Sequence, residues 1–188
     1  MRLKDETKRK QIIECTLDMV HQTGLSGLKM AALARKVGLS PATLYIYFKN
    51  KEDLVLSVYD EVLGTQEVFL KAHTAEPIPI RAKLKKVWLQ WFHFNINNIK
   101  EKSFIEQVKQ SPYYKRQKIH DRGEAYSLVS ALFQTAKADG TIKALDNEVL
   151  IAATLASLTM SAQLVRDGKM ALKDSNQLFD LYWDGIKR

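Results

Sequence analysis

Apolar residues recur at spacings of three and four along nearly the whole chain, and no useful length of sequence alternates apolar and polar positions. This spacing places apolar side chains on one face of an α-helix, whereas a half-buried strand has a period of two. The first such segment runs from about residue 5 to residue 23 and ends at Gly24, because glycine readily adopts the left-handed conformation that terminates helices. The pattern predicts an all-α protein.

A tight connection follows the second predicted helix, which stops at Gly38. Ser40 and Pro41 then signal a new helix, because serine caps the exposed amides and proline suits the first turn. Leu44 and Phe48 form the inward pair of this short third helix. A helix, a three-residue turn and a short helix are typical of helix-turn-helix geometry. A plain three-helix cap on a bundle is the alternative interpretation.

A long fourth helix connects the amino-terminal helices to the rest of the chain. Asn50 is its predicted cap, with Asp53 at the reciprocal position, and it extends to about residue 73. The segment 74–79 contains two prolines and breaks the pattern. Further helices are predicted near 80–98, 102–110, 113–138, 146–167 and 174–186. We therefore expect a helix-turn-helix domain at 1–51, with its motif at about 28–48, and a helical bundle domain at 52–188.

Charge is unevenly distributed along the 188 residues, whose net charge is +8. Residues 1–51 carry a net +6, residues 52–70 a net −5, and residues 71–119 a net +8. Two basic segments separated by an acidic one favour a polyanionic partner such as nucleic acid. A solvated charged surface without a partner is the alternative.

Several classes of function lack support in the sequence. The single cysteine, Cys15, excludes an intramolecular disulfide, and the four histidines show no metal-ligand spacing, so we expect no metal and no cofactor. No nucleophile elbow or phosphate loop is present, which argues against an enzyme. The charged start of the chain has no apolar segment of a secretory signal, which favours a cytoplasmic protein.

Residues 8–56 resemble the DNA-binding domain of the tetracycline-repressor (TetR) family of bacterial regulators. The resemblance rests on LARKVGLS at 33–40 and above all on ATLYIYFKNKEDL at 42–54. It implies that the outward face of the third helix enters the major groove of DNA. The resemblance assigns contacts with DNA to Pro41, Ala42, Thr43, Tyr45, Tyr47 and Lys51, and Lys29 and Ser40 complete the candidate DNA-binding residues.

The sequence also departs from the family pattern. Leu28 and Lys29 occupy the entrance of the second helix, where the family usually has threonine or serine, so we expect Lys29 to contact phosphate and Ser26 to supply the cap. The outward face of the third helix has no Arg, Asn or Gln for bidentate reading of base edges. The base sequence of the operator therefore does not follow from these residues.

The segment 149–165 contains seventeen residues without a charge, too few and too rich in Thr, Ser and Gln for a membrane span. A helix that is apolar nearly all round must be covered on more than one side. A homodimer, as in the resembled family, would cover it, and burial within a monomer is the alternative. The predicted interface residues are Leu128, Leu132, Ala152, Leu155, Ala156 and Thr159.

An aromatic stripe at helical spacing lies in the first helix after the proline break. It either belongs to the core or lines an effector pocket, as in the inducer-binding members of the resembled family. The candidate effector residues are Trp88, Trp91, Phe92, Asn95, Tyr113, Tyr126 and Phe133. A basic rim from 71–119 around such a pocket would favour an apolar or anionic amphiphilic effector, whereas a solvated helix face is the alternative.

Together these observations predict a ligand-responsive transcriptional repressor that binds palindromic double-stranded operator DNA as a homodimer and does not associate with a membrane. The alternative is a DNA-binding protein of the same fold without a small effector, which uses the basic surface of 71–119 for a macromolecular partner.

Overall fold

Regular structure in the computed structural model, which describes residues 5–116 and 123–188, is helical apart from one isolated antiparallel bridge between Ile142 and Lys187. The helices are α1 (Glu6–Gly27), α2 (Met30–Lys36), α3 (Pro41–Tyr47), α4 (Lys51–Ala75), α5 (Ile80–Asn97), α6 (Ile99–Lys109), α7 (Pro112–Arg116), α8 (Gly123–Ala138), α9 (Asn147–Arg166) and α10 (Ser175–Ile186), with a 3-10 turn at Leu172–Asp174. The predicted all-α fold class is confirmed.

The helix boundaries differ most clearly from the predicted ones in two places. Gly24 has φ +73° as expected, but the helix resumes after this kink and α1 continues to Gly27. Helix α6 begins at Ile99, earlier than the predicted residue 102. The single helix predicted over 113–138 includes 117–122, which lie outside the described residues.

The described residues form two compact units. The first unit contains residues 5–64 and 99–116, and the second contains residues 65–98 and 123–188. The division differs from the predicted boundary between residues 51 and 52, because α6 and the first half of α4 group with the amino-terminal helices. Apolar periodicity predicts that a segment forms a helix, but it does not predict which distant helix it packs against.

The first unit is built around the apolar face of α1. Ile12 and Val20 are fully buried there, and α6 packs along this helix with Phe104 and Val108 buried. An ion pair between Lys100 and Asp18 lies beside this contact. The first unit therefore combines sequence-distant helices in one core.

The second unit has a core of large aromatic side chains. Trp88 stacks on Phe92 with ring centroids 5.2 Å apart and meets Phe179 edge to face at 5.9 Å. The indole Nε1 of Trp88 donates to Ser157 Oγ at 3.0 Å, which satisfies its polar atom inside the core. This aromatic cluster joins α5, α9 and α10.

Candidate nucleic-acid interface

Helices α2 and α3 cross closely because small and apolar residues meet at the turn between them. Ala34 is fully buried, and its carbonyl accepts a hydrogen bond from Leu39 N at 2.8 Å. Gly38 has φ +67°, a left-handed conformation that glycine adopts without steric cost. Leu44 is fully buried and Phe48 is 2% exposed. The predicted helix-turn-helix geometry and its inward pair are therefore both present.

The start of α3 is fixed by a side-chain cap. Ser40 Oγ accepts a hydrogen bond from Thr43 N at 3.1 Å and lies 2.9 Å from Thr43 Oγ1, while Pro41 occupies the first turn. Capping satisfies an amide that has no partner within the helix. The cap also holds the Thr43 hydroxyl, a predicted DNA contact, against the helix start.

The outer face of α3 is apolar and aromatic. Tyr45 is 49% exposed and Ile46 is 64% exposed, Ala42 is also exposed, and Thr43 and Tyr47 are half-buried. Ile46 was not among the predicted DNA contacts. The signal for it was the inward pair of Leu44 and Phe48, whose burial turns Ile46 toward the outer face of this short helix. An exposed branched apolar side chain on this face suits a thymine methyl group rather than water.

Lys51, at the start of α4, is partly engaged within the protein. Its Nζ donates a hydrogen bond to the carbonyl of Leu25 at 2.8 Å, and burial lowers the pKa of its ammonium group from the ordinary lysine value. Asn50 Oδ1 accepts from Asp53 N at 2.8 Å, which confirms the predicted cap, and Asp53 Oδ2 accepts from Lys49 N at 2.7 Å. A lysine ammonium has three N–H donors, so two remain for other acceptors.

The start of α2 differs from the prediction. Its N-cap residue is Lys29, which makes no side-chain capping hydrogen bond. The expected cap by Ser26 is wrong, because the helical turn after the Gly24 kink includes Ser26 and ends only at Gly27. The Lys29 side chain is exposed.

Comparisons with known proteins support this geometry. The family profile described as "Bacterial regulatory proteins, tetR family" matches residues 12–58. The profile described as "Tetracyclin repressor-like, C-terminal domain" matches residues 79–187, more than half of the chain. The chain belongs to the TetR family. The resemblance inferred from the residues around α3 is therefore confirmed, and the chain is a DNA-binding transcription regulator of a family that is not enzymatic.

Relatives of this TetR-family chain are themselves named as regulators. The "Fatty acid metabolism regulator protein" of Bacillus subtilis is 26% identical over 141 residues, which are 72% of this chain and 71% of the relative. A TetR family transcription regulator from Marinobacter aquaeolei has a TM-score of 0.85 at 23% identity, over 100% of this chain and 99% of its own. FadR from Bacillus subtilis in complex with stearoyl-CoA has a TM-score of 0.79 at 22% identity, over 95% of this chain and 99% of its own. These structural likenesses establish a TetR-type fold.

Helix α9 exposes an apolar stripe. Met160, Val149 and Leu155 are 62%, 53% and 51% exposed. Of the predicted interface residues, Ala152, Ala156 and Thr159 are also exposed on this helix. The helix is long and apolar enough to cross a membrane by length and composition alone, but an exposed apolar face of this kind also marks sites of contact with another protein.

On α8 the structure corrects one predicted interface residue. Leu132 is 7% exposed and belongs to the core of its own unit, with Leu128 partly buried against that core. The sequence did not distinguish the two sides of α8, because apolar residues occur around much of this helix. We therefore leave Leu132 out of the candidate dimer face.

Four of the predicted effector residues belong to the core of the second unit or pack against it. Trp88, Phe92 and Phe133 are core side chains that are at most 1% exposed, and Trp91 is partly buried against the same core. Asn95 is 8% exposed, and its Nδ2 donates to Trp91 O at 2.7 Å. The stripe is thus largely core, as the alternative interpretation had it.

The two tyrosines of the predicted effector set belong to different helices. Tyr126 hydrogen-bonds through its hydroxyl to Glu148 of α9. Tyr113 belongs to α7, in the first compact unit. The sequence grouped these tyrosines with the aromatic residues of α5 only because they are aromatic. Aromatic character alone does not predict where a side chain lies in the fold.

The basic segment 71–119 is largely engaged in local contacts. Arg81 Nη2 lies 2.8 Å from Asp180 Oδ1, Lys86 pairs with Glu76, and Lys83 Nζ donates to Thr74 O at 2.9 Å. The guanidinium of Arg81 also lies 5.5 Å from the ring centroid of Trp183. These contacts do not support the predicted basic rim around an aromatic pocket, nor a basic docking surface for a macromolecule. Part of the segment, including Lys118, lies outside the described residues.

Replacing the cap of α3 should weaken the fold. Ser40→Ala removes the acceptor for Thr43 N, and we expect a loss of roughly 1 kcal/mol in the free energy of unfolding, measured by urea titration. Ser26→Ala is the matched control, because Ser26 caps no helix, and it should change that free energy by less than about 0.5 kcal/mol. Equal losses in both variants would contradict the assignment of the cap.

Proposed function

We propose that this TetR-family regulator is a ligand-responsive repressor that binds palindromic operator DNA as a homodimer, with α3 in the major groove. The observation that carries the proposal is the exposed face of α3, which lies opposite the buried Leu44 and Phe48. This face combines hydroxyl groups with apolar surface and is held on a short, capped helix. Those are the properties required for contacts with phosphate oxygens and thymine methyl groups.

In this proposal the contacts divide into two kinds. Ala42 and Ile46 face base edges and give apolar contact, while Thr43 and Tyr47 donate to phosphates or base edges. Lysines at the starts of α2 and α4, Lys29 and Lys51, contact the sugar-phosphate backbone, where the helix N-termini add to the attraction. Backbone contacts set the position on DNA, and the apolar contacts set the preference for A·T pairs. Ser40, Pro41 and Tyr45 complete the proposed interface.

The homodimer is proposed from the apolar stripe of α9. Its exposed small residues, including Ala152 and Ala156, let a second helix approach closely. Its exposed large residues add apolar surface whose burial in the interface stabilises the dimer. A two-fold pair of subunits presents two copies of α3. Two half-sites about one helical turn apart, ~34 Å, are then read together, and the operator is palindromic.

The proposed effector is an anionic molecule with a long acyl chain. Support comes from two similar proteins: one is named as a fatty acid metabolism regulator, and FadR was solved with stearoyl-CoA. The apolar second unit has the composition needed to enclose an acyl chain. Trp88, Phe92 and Phe133 are core side chains, so the proposal assigns the contact with the acyl chain to other residues of this unit.

Removing the Lys51 charge should weaken binding to DNA of any sequence. We expect Lys51→Ala to lower the slope of log affinity against log salt concentration by about one, as for one lost phosphate contact. Fluorescence anisotropy with a random-sequence duplex over a salt series measures this slope. Lys143→Ala is the matched control, since Lys143 Nζ also donates to a backbone carbonyl, that of Gly185 at 2.7 Å, but in the second unit. An unchanged slope for Lys51→Ala would remove this contact from the proposal.

A charge placed on the α9 stripe should dissociate the dimer. Ala156→Arg buries an unpaired guanidinium in a close helix contact, at a cost of several kcal/mol. Sedimentation velocity should then report a monomer, and specific operator binding should be lost with it. Leu181→Arg is the control, because Leu181 is 74% exposed on α10, outside the stripe. A wild-type protein that is monomeric at micromolar concentration would refute the dimer.

An acyl-chain effector should stabilise the protein and release it from DNA. At a concentration of 100 times its dissociation constant, stearoyl-CoA should add about 2.7 kcal/mol to the free energy of unfolding, which raises the melting temperature. Coenzyme A without the acyl chain is the control and should have little effect. Stabilisation by a cationic amphiphile but not by stearoyl-CoA would contradict the proposed charge of the ligand.

A further inference from the structure

The backbone N–H and C=O of Leu25 each bind a side chain of another helix. Its N–H donates to Gln107 Oε1 of α6 at 2.7 Å, and its carbonyl accepts from Lys51 Nζ of α4 at 2.8 Å. Gln107 and Lys51 therefore bind the two peptide groups that flank the Cα of Leu25, within the first compact unit. Lys51 is also the residue to which the proposed function assigns a DNA phosphate.

The kink at Gly24 makes this arrangement possible. With φ +73° and ψ +167°, Gly24 interrupts the regular hydrogen bonding of α1, so the next amide needs a partner from elsewhere. A glutamine side-chain oxygen supplies that partner. The Gln107 amide is itself oriented, because its Nε2 donates to Ser103 Oγ at 3.1 Å one turn earlier on α6.

The carbonyl of Leu25 in turn orients a flexible cation. A lysine side chain has a rotamer entropy of up to about 2 kcal/mol to lose when it is fixed. The hydrogen bond to the Leu25 carbonyl restricts the Lys51 side chain before DNA binds, so less conformational entropy is lost on binding. The two remaining N–H groups of Lys51 then stay directed away from Leu25.

We propose that Gln107 is a positioning residue for DNA binding, which fixes the backbone at Leu25 through its N–H and thereby the carbonyl that holds the ammonium of Lys51. The inference rests on the proposed contact between Lys51 and a DNA phosphate. Gln107 itself touches no DNA in this account. Replacing it leaves the Leu25 N–H without its acceptor, so the backbone on both sides of the Leu25 Cα is less firmly fixed. The Leu25 carbonyl, which also accepts from Leu28 N at 3.4 Å, then holds Lys51 less firmly.

A double-mutant cycle tests the proposal. Gln107→Leu, Lys51→Ala and the double variant are compared for affinity to a random-sequence duplex over a salt series. We expect Gln107→Leu alone to weaken binding roughly threefold to tenfold, the equivalent of one hydrogen bond. In the Lys51→Ala background the same substitution should have no further effect on binding, because the group that it positions is absent.

Two further variants separate positioning from a general structural role. Gln107→Glu keeps an acceptor for the Leu25 N–H and should restore coupling to Lys51. Lys100→Met breaks a second polar contact between α6 and α1, the ion pair with Asp18, and its effect should be additive with that of Lys51→Ala. If Gln107→Leu does not fold, Ser103→Ala, which removes only the bond that orients the Gln107 amide, replaces it in the cycle.

The outcomes are distinct. Equal effects of Gln107→Leu in both backgrounds overturn the positioning role while leaving the Lys51 contact intact. No effect of Lys51→Ala on affinity or salt slope overturns the Lys51 contact, and the positioning role falls with it. Coupling between Gln107 and Lys51, together with rescue by glutamate and additivity at Lys100, supports the inference.

Discussion

The close crossing of α2 and α3 at Ala34 is the constraint on which the rest of the amino-terminal structure depends. A larger side chain there would separate the helices and expose Leu44 and Phe48, whose burial sets the rotation of α3 about its axis. That rotation decides which residues face outward. Because α3 is only seven residues long, it has little stability of its own and takes its position from this packing.

The amino-terminal features could be predicted because their signals are local. Ser40, Pro41 and Gly38 act through their own backbone or that of residues three positions away, and the structure places each as expected. The error at Ser26 is also local. A helix that resumes after a left-handed glycine cannot be anticipated from residue preferences alone, since the extra turn here depends on the contact between Leu25 N and Gln107.

Features set by distant contacts could not be predicted. Gln107 lies 82 positions from Leu25 in sequence, so nothing near either residue indicates that they meet. The aromatic spacing of α5 correctly predicted a helix face, but it did not distinguish a packed core from a pocket wall, because both require the same residues. Leu132 and Ala156 were equally apolar candidates for the dimer face, and only their burial separates them.

The isolated bridge between Ile142 and Lys187 links two segments that are distant in sequence. Lys143 N donates to Ile186 O at 2.9 Å, and Arg188 N donates to Thr141 O at 3.2 Å. The end of α10 is therefore tied to the loop that leads into α9, the helix with the exposed apolar stripe. A change that loosens the end of α10 should therefore disturb that loop as well.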